Sequence, residues 1–233
     1  MPFWDRKIEL IILTNPDKDH YAGLIDVIRR YQIIKYSSSG VDKEGAGMDA
    51  LKAELKNRSV PTVDLNLGDQ VNLGKIKLYT LWPTKEWLAR AKSGESGIEN
   101  LVVGATDSPN EYSVVLRLSY GEFDALLTGD IEPPASDQLA VIVNSDSDSQ
   151  IGWEVLKVPH HGSKNGLTEK LLDAVKPKLA IISVGKNNRY GHPHQEVIKL
   201  ISDQAIKLLR TDLNGEVEIV TDGKTWSYKE EER

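Results

Sequence analysis

"TNPDKDHYAGL", residues 14–24, stands where a run of β-branched residues gives way to a helical pattern. Upstream, "IELIILT" (8–14) reads as a short buried strand. Downstream, "HYAGLIDVIRRY" keeps Leu24, Ile25, Val27, Ile28 and Tyr31 at helical spacing, with Asp19 as the expected N-cap. The turn between them crowds Asn15, Asp17, Asp19 and His20 into six residues. Carboxylates alternating towards a His at a strand-to-helix turn are the donor types of a metal site. The plainer role for Asp19 is helix capping alone.

The same alternation continues outward. "IIKY" (33–36) reads as a strand, "MDALKAELK" (48–56) as an amphipathic helix, and "QVNLGKIKLYTLW" (70–82) as a hairpin turning near Gly74. "KEWLARAK" makes a helical turn, and "SGESGIENLVVGATDSPNE" reads as a loop. "YSVVLRLSY" (112–120) and "FDALLTG" (123–129) are strands joined by a tight "GE" turn. "IEPPASDQLAVIV" holds a helix after its prolines, and "SDSDSQ" (145–150) is a polar loop. Strands at "WEVLKV" (153–158) and "KLAIISVG" (178–185) alternate with helices at "LTEKLLDAV" (167–175) and "PHQEVIKLI" (193–201). "IKLLRT" and the hairpin "EVEIVTDGKTWSY" follow. With no internal repeat and no biased linker, the economical reading is one α/β domain over residues 1–233.

Composition narrows the chemistry. Hydrophobic residues make up 39% and charged residues 27% of the 233, as in an ordinary soluble globular protein. No apolar run approaches the ~20 residues of a membrane-spanning helix, and "MPFWDRKIEL" is too charged for a signal peptide. There is no Cys, so any metal must be held by His, carboxylate or amide. The net charge of −6 argues against a general nucleic-acid binder. Its distribution is uneven: residues 42–154 carry 10 Lys and Arg against 19 Asp and Glu, whereas residues 157–210 carry 10 against 4. A basic segment in an acidic chain can serve an anionic substrate, or can be no more than solvated helix faces.

All 5 His residues fall in three clusters: His20, the pair His160 and His161 in "VPHHGS", and His192 and His194 in "YGHPH". Asp130 closes "LLTGD" at the end of a predicted buried strand. Taken singly, these are turn or cap residues. Taken together, they gather at strand ends, where open α/β sheets collect functional groups.

These motifs resemble the metallo-β-lactamase fold, and more narrowly its domain in the ComEC competence family of DNA-uptake channel proteins. The matching stretches are "PFWDRKIELIILTNPDKDHYAGLIDVIRRYQI", "SVVLRL", "LLTGDIE", "LKVPHHGSKNGLTEKLLDAVKPKLAIISVGKNNRYGHPH" and "LRTDLNGEVEIVTDG". The resemblance implies an αββα sandwich with a metal site at one edge of two sheets. It implies that Asp19 and His20 bind a metal, that Asp130 bridges, and that His160 or His161 supplies a further ligand. The sequence leaves that choice open.

Two departures stand out. Asn15 occupies a position where the family usually has His. No His stands just upstream of "SVVL", where generic members carry a further ligand. Asp17 stands where generic members have a second His, but ComEC-like domains often show Asp there too. The expectation is therefore one good site for Zn²⁺ or Mn²⁺ and at most one weak, oxygen-rich site at Asn15 and Asp17. Ser163, Lys164, Asn188, Arg189 and His194 are expected to contact phosphate. Asp19 and His192 are expected in catalysis, His192 as proton donor to the leaving oxygen. The family's first strands are not present ahead of "PFWDR", which predicts an open sheet edge for a second chain or a membrane channel domain to cover.

The resemblance makes single-stranded DNA the expected substrate and the outer face of the bacterial cytoplasmic membrane the setting. Two other readings stay open. One is a non-catalytic DNA-handling domain. The other is a hydrolase of a small phosphodiester, which the acidic balance favours because binding of long DNA leans on many phosphate contacts.

Overall fold

The computed structural model describes residues 5–93, 108–145 and 152–231. Most of the expected loop at 93–111, and all but the first residue of that at 145–150, lie outside the described residues. The chain begins with parallel β/α units: β1 (Lys7–Ile8), β2 (Ile11–Ile12), α1 (Lys18–Arg30), β3 (Gln32–Ile33), β4 (Tyr36–Ser38), α2 (Ala46–Asn57) and β5 (Thr62–Asp64). Strands predicted as single runs at 8–14 and 33–36 are each split, β1 pairing with β3 and β2 with β4. The bonds Ile34 N–H to Ile8 O and Ile11 N–H to Lys35 O, both 2.9 Å, cross the gap, so the two pairs are ends of one bent ribbon. The helix begins earlier than expected. Asp17, not Asp19, is the N-cap of α1, and its side chain makes no capping bond.

A seven-stranded sheet follows. It contains β6 (Gln70–Leu73), β7 (Ile76–Trp82), β8 (Val115–Tyr120), β9 (Phe123–Leu127), β10 (Val155–Lys157), β11 (Leu179–Ile182) and β12 (Lys207–Arg210) in spatial order 12-11-10-9-8-7-6. β6 to β9 run antiparallel as a meander, and β9 to β12 run parallel. The parallel crossovers carry α4 (Ala135–Ser145), α5 (Glu169–Val175) and α6 (Gln195–Asp203), and α3 (Lys85–Ser93) follows β7. A short α7 (Thr211–Asn214) leads into the hairpin of β13 (Glu216–Thr221) and β14 (Trp226–Glu231).

The period-two alternation of strands sorts the core into layers. Leu126, Leu156 and Ala180 lie side by side in register and face the helices, packing with Leu139, Leu171 and Ile201. Their neighbours Ala125, Val155 and Leu179 face the other way, against Val217, Ile219 and Trp226 of the hairpin. Leu116 and Val114 meet Leu65 and Ile12, which joins the small parallel sheet to the same face. On the outside of the small sheet, Ile28 of α1 and Leu51 of α2, both fully buried, close a further core. The result is four layers, helix–sheet–sheet–helix, as the resemblance implies. Each fully buried Leu or Ile contributes about 1.5–3 kcal/mol relative to exposure. Among the described residues no helix is long and apolar enough to cross a membrane.

Candidate metal centre

The C-terminal ends of β2, β9, β10 and β11 converge on one edge of the sandwich. β2 runs into Thr14, whose carbonyl accepts from Val114 N–H at 2.8 Å and so ties the two sheets together. The first turn of α1 then presents Asp19 and His20. Asp130 follows β9 through Gly129, whose positive φ of 56° lets the chain turn between Ser113 and Thr14. His161 follows β10 in a 3-10 turn.

One ligand atom from each of Asp19, His20, Asp130 and His161 lies within 4.8 Å of all the others. His20 Nε2 is 2.9 Å from Asp130 Oδ2, and His161 Nε2 is 3.3 Å from Asp19 Oδ2 and 3.5 Å from Asp130 Oδ2. His161 Nδ1 donates to the carbonyl of Ser183 at 2.7 Å, which leaves Nε2 with its lone pair facing the cluster. His161 Nε2 and Asp130 Oδ1 are buried without a hydrogen-bond partner. Such orphaned atoms are costly unless something binds them. Two imidazoles and two carboxylates suit Zn²⁺ or Mn²⁺.

The backbone decides between the paired histidines. His160 and His161 both adopt left-handed φ, 47° and 54°, a strain of about 1–3 kcal/mol each. The turn is held by Ser163 N–H to His160 O at 2.8 Å and by Gly162, where any Cβ would run into Pro193. The two rings therefore diverge, tilted 68° to each other. His161 joins the cluster, while His160 Nδ1 pairs with Glu132 Oε1 at 2.7 Å.

Electrostatics follow the geometry. Burial alone would raise the Asp130 carboxyl, but the His20 hydrogen bond and the charge of Lys157 outweigh it and hold it well below the usual carboxylate range. Burial pushes the Lys157 ammonium down, opposed by Asp130, whose Oδ1 lies 3.5 Å from Nζ. The Glu132 hydrogen bond raises His160. Desolvation, then the charges of His160 and His194, lower His192.

Two expected ligand positions stand apart. Asn15 is 1% exposed and spends its amide inside the protein, with Nδ2 donating to Asn110 Oδ1 at 2.6 Å and Oδ1 accepting from Asp17 N–H at 2.7 Å. Asp17 pairs with Lys43 Nζ at 2.6 Å and is not among the four residues of the cluster. Among the described residues, both side chains of the expected oxygen-rich second pocket are engaged in other bonds.

The expected phosphate contacts also divide. Ser163 is buried, with its hydroxyl accepting from Asn165 N–H. Asn188 spends its whole amide on Gly185 O and on the backbone of His192, so it holds that loop rather than facing outward. His194 Nδ1 accepts from Lys164 N–H at 3.2 Å. Lys164 and Arg189 are exposed. His192 sits 5.6 Å from the His160 ring and stacks on Tyr190, which is 81% exposed. The reading of the sequence passed over Lys157 and Glu132. Their positions, three residues before His160 and two after Asp130 at the same strand ends, were the available signal.

A family model of the metallo-beta-lactamase superfamily matches residues 5–186. The chain belongs to that superfamily. Its curated relatives include ComE operon protein 3, competence protein ComA and recombination protein 2. It is 31% identical to ComE operon protein 3 of Bacillus subtilis (strain 168) over 215 residues, 91% of this chain and 24% of that one. It is 25% identical to recombination protein 2 of Haemophilus influenzae over 222 residues, 94% of this chain and 23% of that one. The chain thus spans about a quarter of the length of these relatives. Among solved structures, the diiron beta-hydroxylase CmlA from Streptomyces venezuelae superposes with a TM-score of 0.56 at 12% identity, over 88% of this chain and 44% of that one. That likeness concerns the fold alone. Family and donor set together describe a metal-dependent, hydrolase-like domain.

Proposed function

We propose that this metallo-beta-lactamase domain hydrolyses phosphodiester bonds of single-stranded DNA during DNA uptake, using one divalent ion. The observation that carries the reading is the convergence of Asp19, His20, Asp130 and His161, with the buried His161 Nε2 turned towards the carboxylates and without a hydrogen-bond partner. These four residues would hold Zn²⁺ or Mn²⁺. Once bound, the ion would polarise a phosphoryl oxygen and lower the pKa of water.

The rest falls to side chains. The Asp19 carboxylate, 62% exposed, takes the proton of the attacking water. Proton donation to the leaving oxygen falls to the His160 and His192 pair. Glu132 favours the protonated form of His160, which therefore holds the proton to be donated, while burial and the neighbouring histidines disfavour the protonated form of His192. Lys164 and Arg189 supply the exposed cations for the strand. The setting implied by the competence resemblance is the outer face of the cytoplasmic membrane, beside a channel domain.

The diversion of Asn15 and Asp17 into structural bonds favours one competing reading, a domain that binds an ion but does not cleave. Elemental analysis of wild type beside Asp130→Ala, with cleavage of single-stranded DNA in added Mn²⁺, separates the two. About one ion per chain, lost together with cleavage in the variant, is the expected result. Bound metal without cleavage of DNA or of a small phosphodiester would leave only the non-catalytic reading.

A further inference from the structure

At the opposite end of the small sheet, where the parallel strands begin, the surface holds a cleft of about 710 Å³. It is lined by the entry to β1, the turn from α1 into β3 and the turn from α2 into β5. Its charged lining residues are Arg6, Lys7, Arg30 and Arg58, and no carboxylate lines it. In a chain with 35 acidic residues against 29 basic ones, that one-sided set calls for a cause.

Helix dipoles account for only half of it. Arg30 closes the last turn of α1 and Arg58 follows the last turn of α2, where cations offset the negative helix end. Arg58 also caps α1 directly, donating from Nη2 to Arg29 O at 2.7 Å. Arg6 and Lys7 stand at the start of a strand, where no such field asks for them, although Lys7 Nζ lies 3.5 Å from Glu9. Arg6 and Arg30 have no carboxylate partner among the described residues.

The walls between the cations are apolar and aromatic. The Arg6 guanidinium lies 5.9 Å from the centre of the Tyr31 ring, and Ile34 is 39% exposed. The frame is fixed by Gln32 N–H to Arg6 O at 2.7 Å and Val60 N–H to Leu55 O at 2.9 Å. Cations for phosphate oxygens alternating with a ring and an aliphatic wall for a base are the elements of single-strand recognition.

We infer that this cleft is a second, non-catalytic binding site for the phosphodiester backbone of a single-stranded nucleic acid. Its choice of a strand over a free nucleotide rests on the proposed function. Lys7 to Thr14 spans about 20 Å of extended chain, so a strand held here is gripped away from the metal-binding edge.

The test is anisotropy of a fluorescein-labelled oligothymidylate in EDTA, which silences the metal centre. Wild type is compared with Arg6→Ala/Arg30→Ala and with Lys75→Ala/Lys77→Ala, an equal charge change on the exposed β6–β7 hairpin. The arginine pair is expected to weaken binding about tenfold, the scale of one lost charge-assisted contact. It should also flatten the salt dependence by about one unit of slope. The hairpin pair should do neither. Arg6→Glu/Arg30→Glu should weaken binding further, with circular dichroism confirming the fold.

Unchanged affinity and slope in the arginine variants, or equal loss in the hairpin control, would overturn the inference. So would displacement of the oligonucleotide by inorganic phosphate or thymidine monophosphate as effectively as by unlabelled strand. Metal content and hydrolysis of bis(p-nitrophenyl) phosphate, measured on the same samples, should be unaffected by the arginine pair. A wild type that binds strand here but cleaves nothing would remove the proposed activity and leave this site standing.

Discussion

Asn15 Nδ2 donates to Asn110 Oδ1 at 2.6 Å in a fully buried setting, which makes a position expected to serve a metal a structural lock. The same amide reaches Ser113 Oγ at 3.3 Å, and that hydroxyl accepts from Asp130 N–H at 3.2 Å. Asn15 thus steadies the loop that carries Asp130 without touching the donor cluster. Asn15→Ala should cost about 1–3 kcal/mol of stability, because Asn110 and Asp17 N–H lose their partner in a buried place. Urea unfolding measures it. Loss of bound metal at saturating Mn²⁺ with no loss of stability would mean that Asn15 serves the ion after all.

The paired histidines should part company on substitution. His161→Ala removes one of the four donors and should abolish stoichiometric metal binding, read by elemental analysis. His160→Ala removes the Glu132 partner but no donor, so it should keep about the wild-type metal content and lose turnover. Equal metal loss in both variants would show that the ring directions seen here do not decide ligation.

Lys157 sets a fixed charge against the donors. Its ammonium lies 3.5 Å from Asp130 Oδ1 and donates to Gly129 O at 2.8 Å. A like charge at that distance opposes an incoming divalent ion. Lys157→Met should therefore tighten Mn²⁺ binding by up to about tenfold. It should also cost about 1 kcal/mol of stability from the lost carbonyl bond. Calorimetric titration decides, and weaker binding in the variant would mean that Lys157 supports the ion rather than opposing it.

Much of this architecture was written in local pattern. The hairpins, the buried strands and the crossover helices follow from alternation and helical spacing, and Asp19, His20 and Asp130 from their places at strand ends. What resisted reading depends on direction. Adjacent histidines are equivalent in a sequence until left-handed φ angles turn their rings apart. The fate of Asp17 depends on Lys43, 26 residues away, and that of Asn15 on Asn110, 95 residues away. The short β5 escaped notice because all three of its side chains are exposed, so it carries no alternation to detect.

The Glu132–His160 pair should leave a signature in the pH dependence of stability of the metal-free protein. Glu132 raises His160 above its ordinary 6.5, so that contribution is full below about pH 6.5 and fades as pH rises through the folded value. For Glu132 itself, burial works upward, but the bond and charge of His160 together with the hydrogen bonds of Asn110 and Ser108 outweigh it and lower the carboxyl below its ordinary 4.5. Its contribution is therefore full above about pH 4.5 and fades as pH falls through the folded value. The two windows overlap between roughly pH 4.5 and 6.5, where both partners are charged. Glu132→Gln keeps the shape and removes the charge. Thermal melts in EDTA should show the largest gap between wild type and variant near pH 5.5, shrinking by pH 9. A gap that stays constant across that range would mean that the 2.7 Å contact is a neutral hydrogen bond, and the assignment of His160 as a proton holder would fall with it.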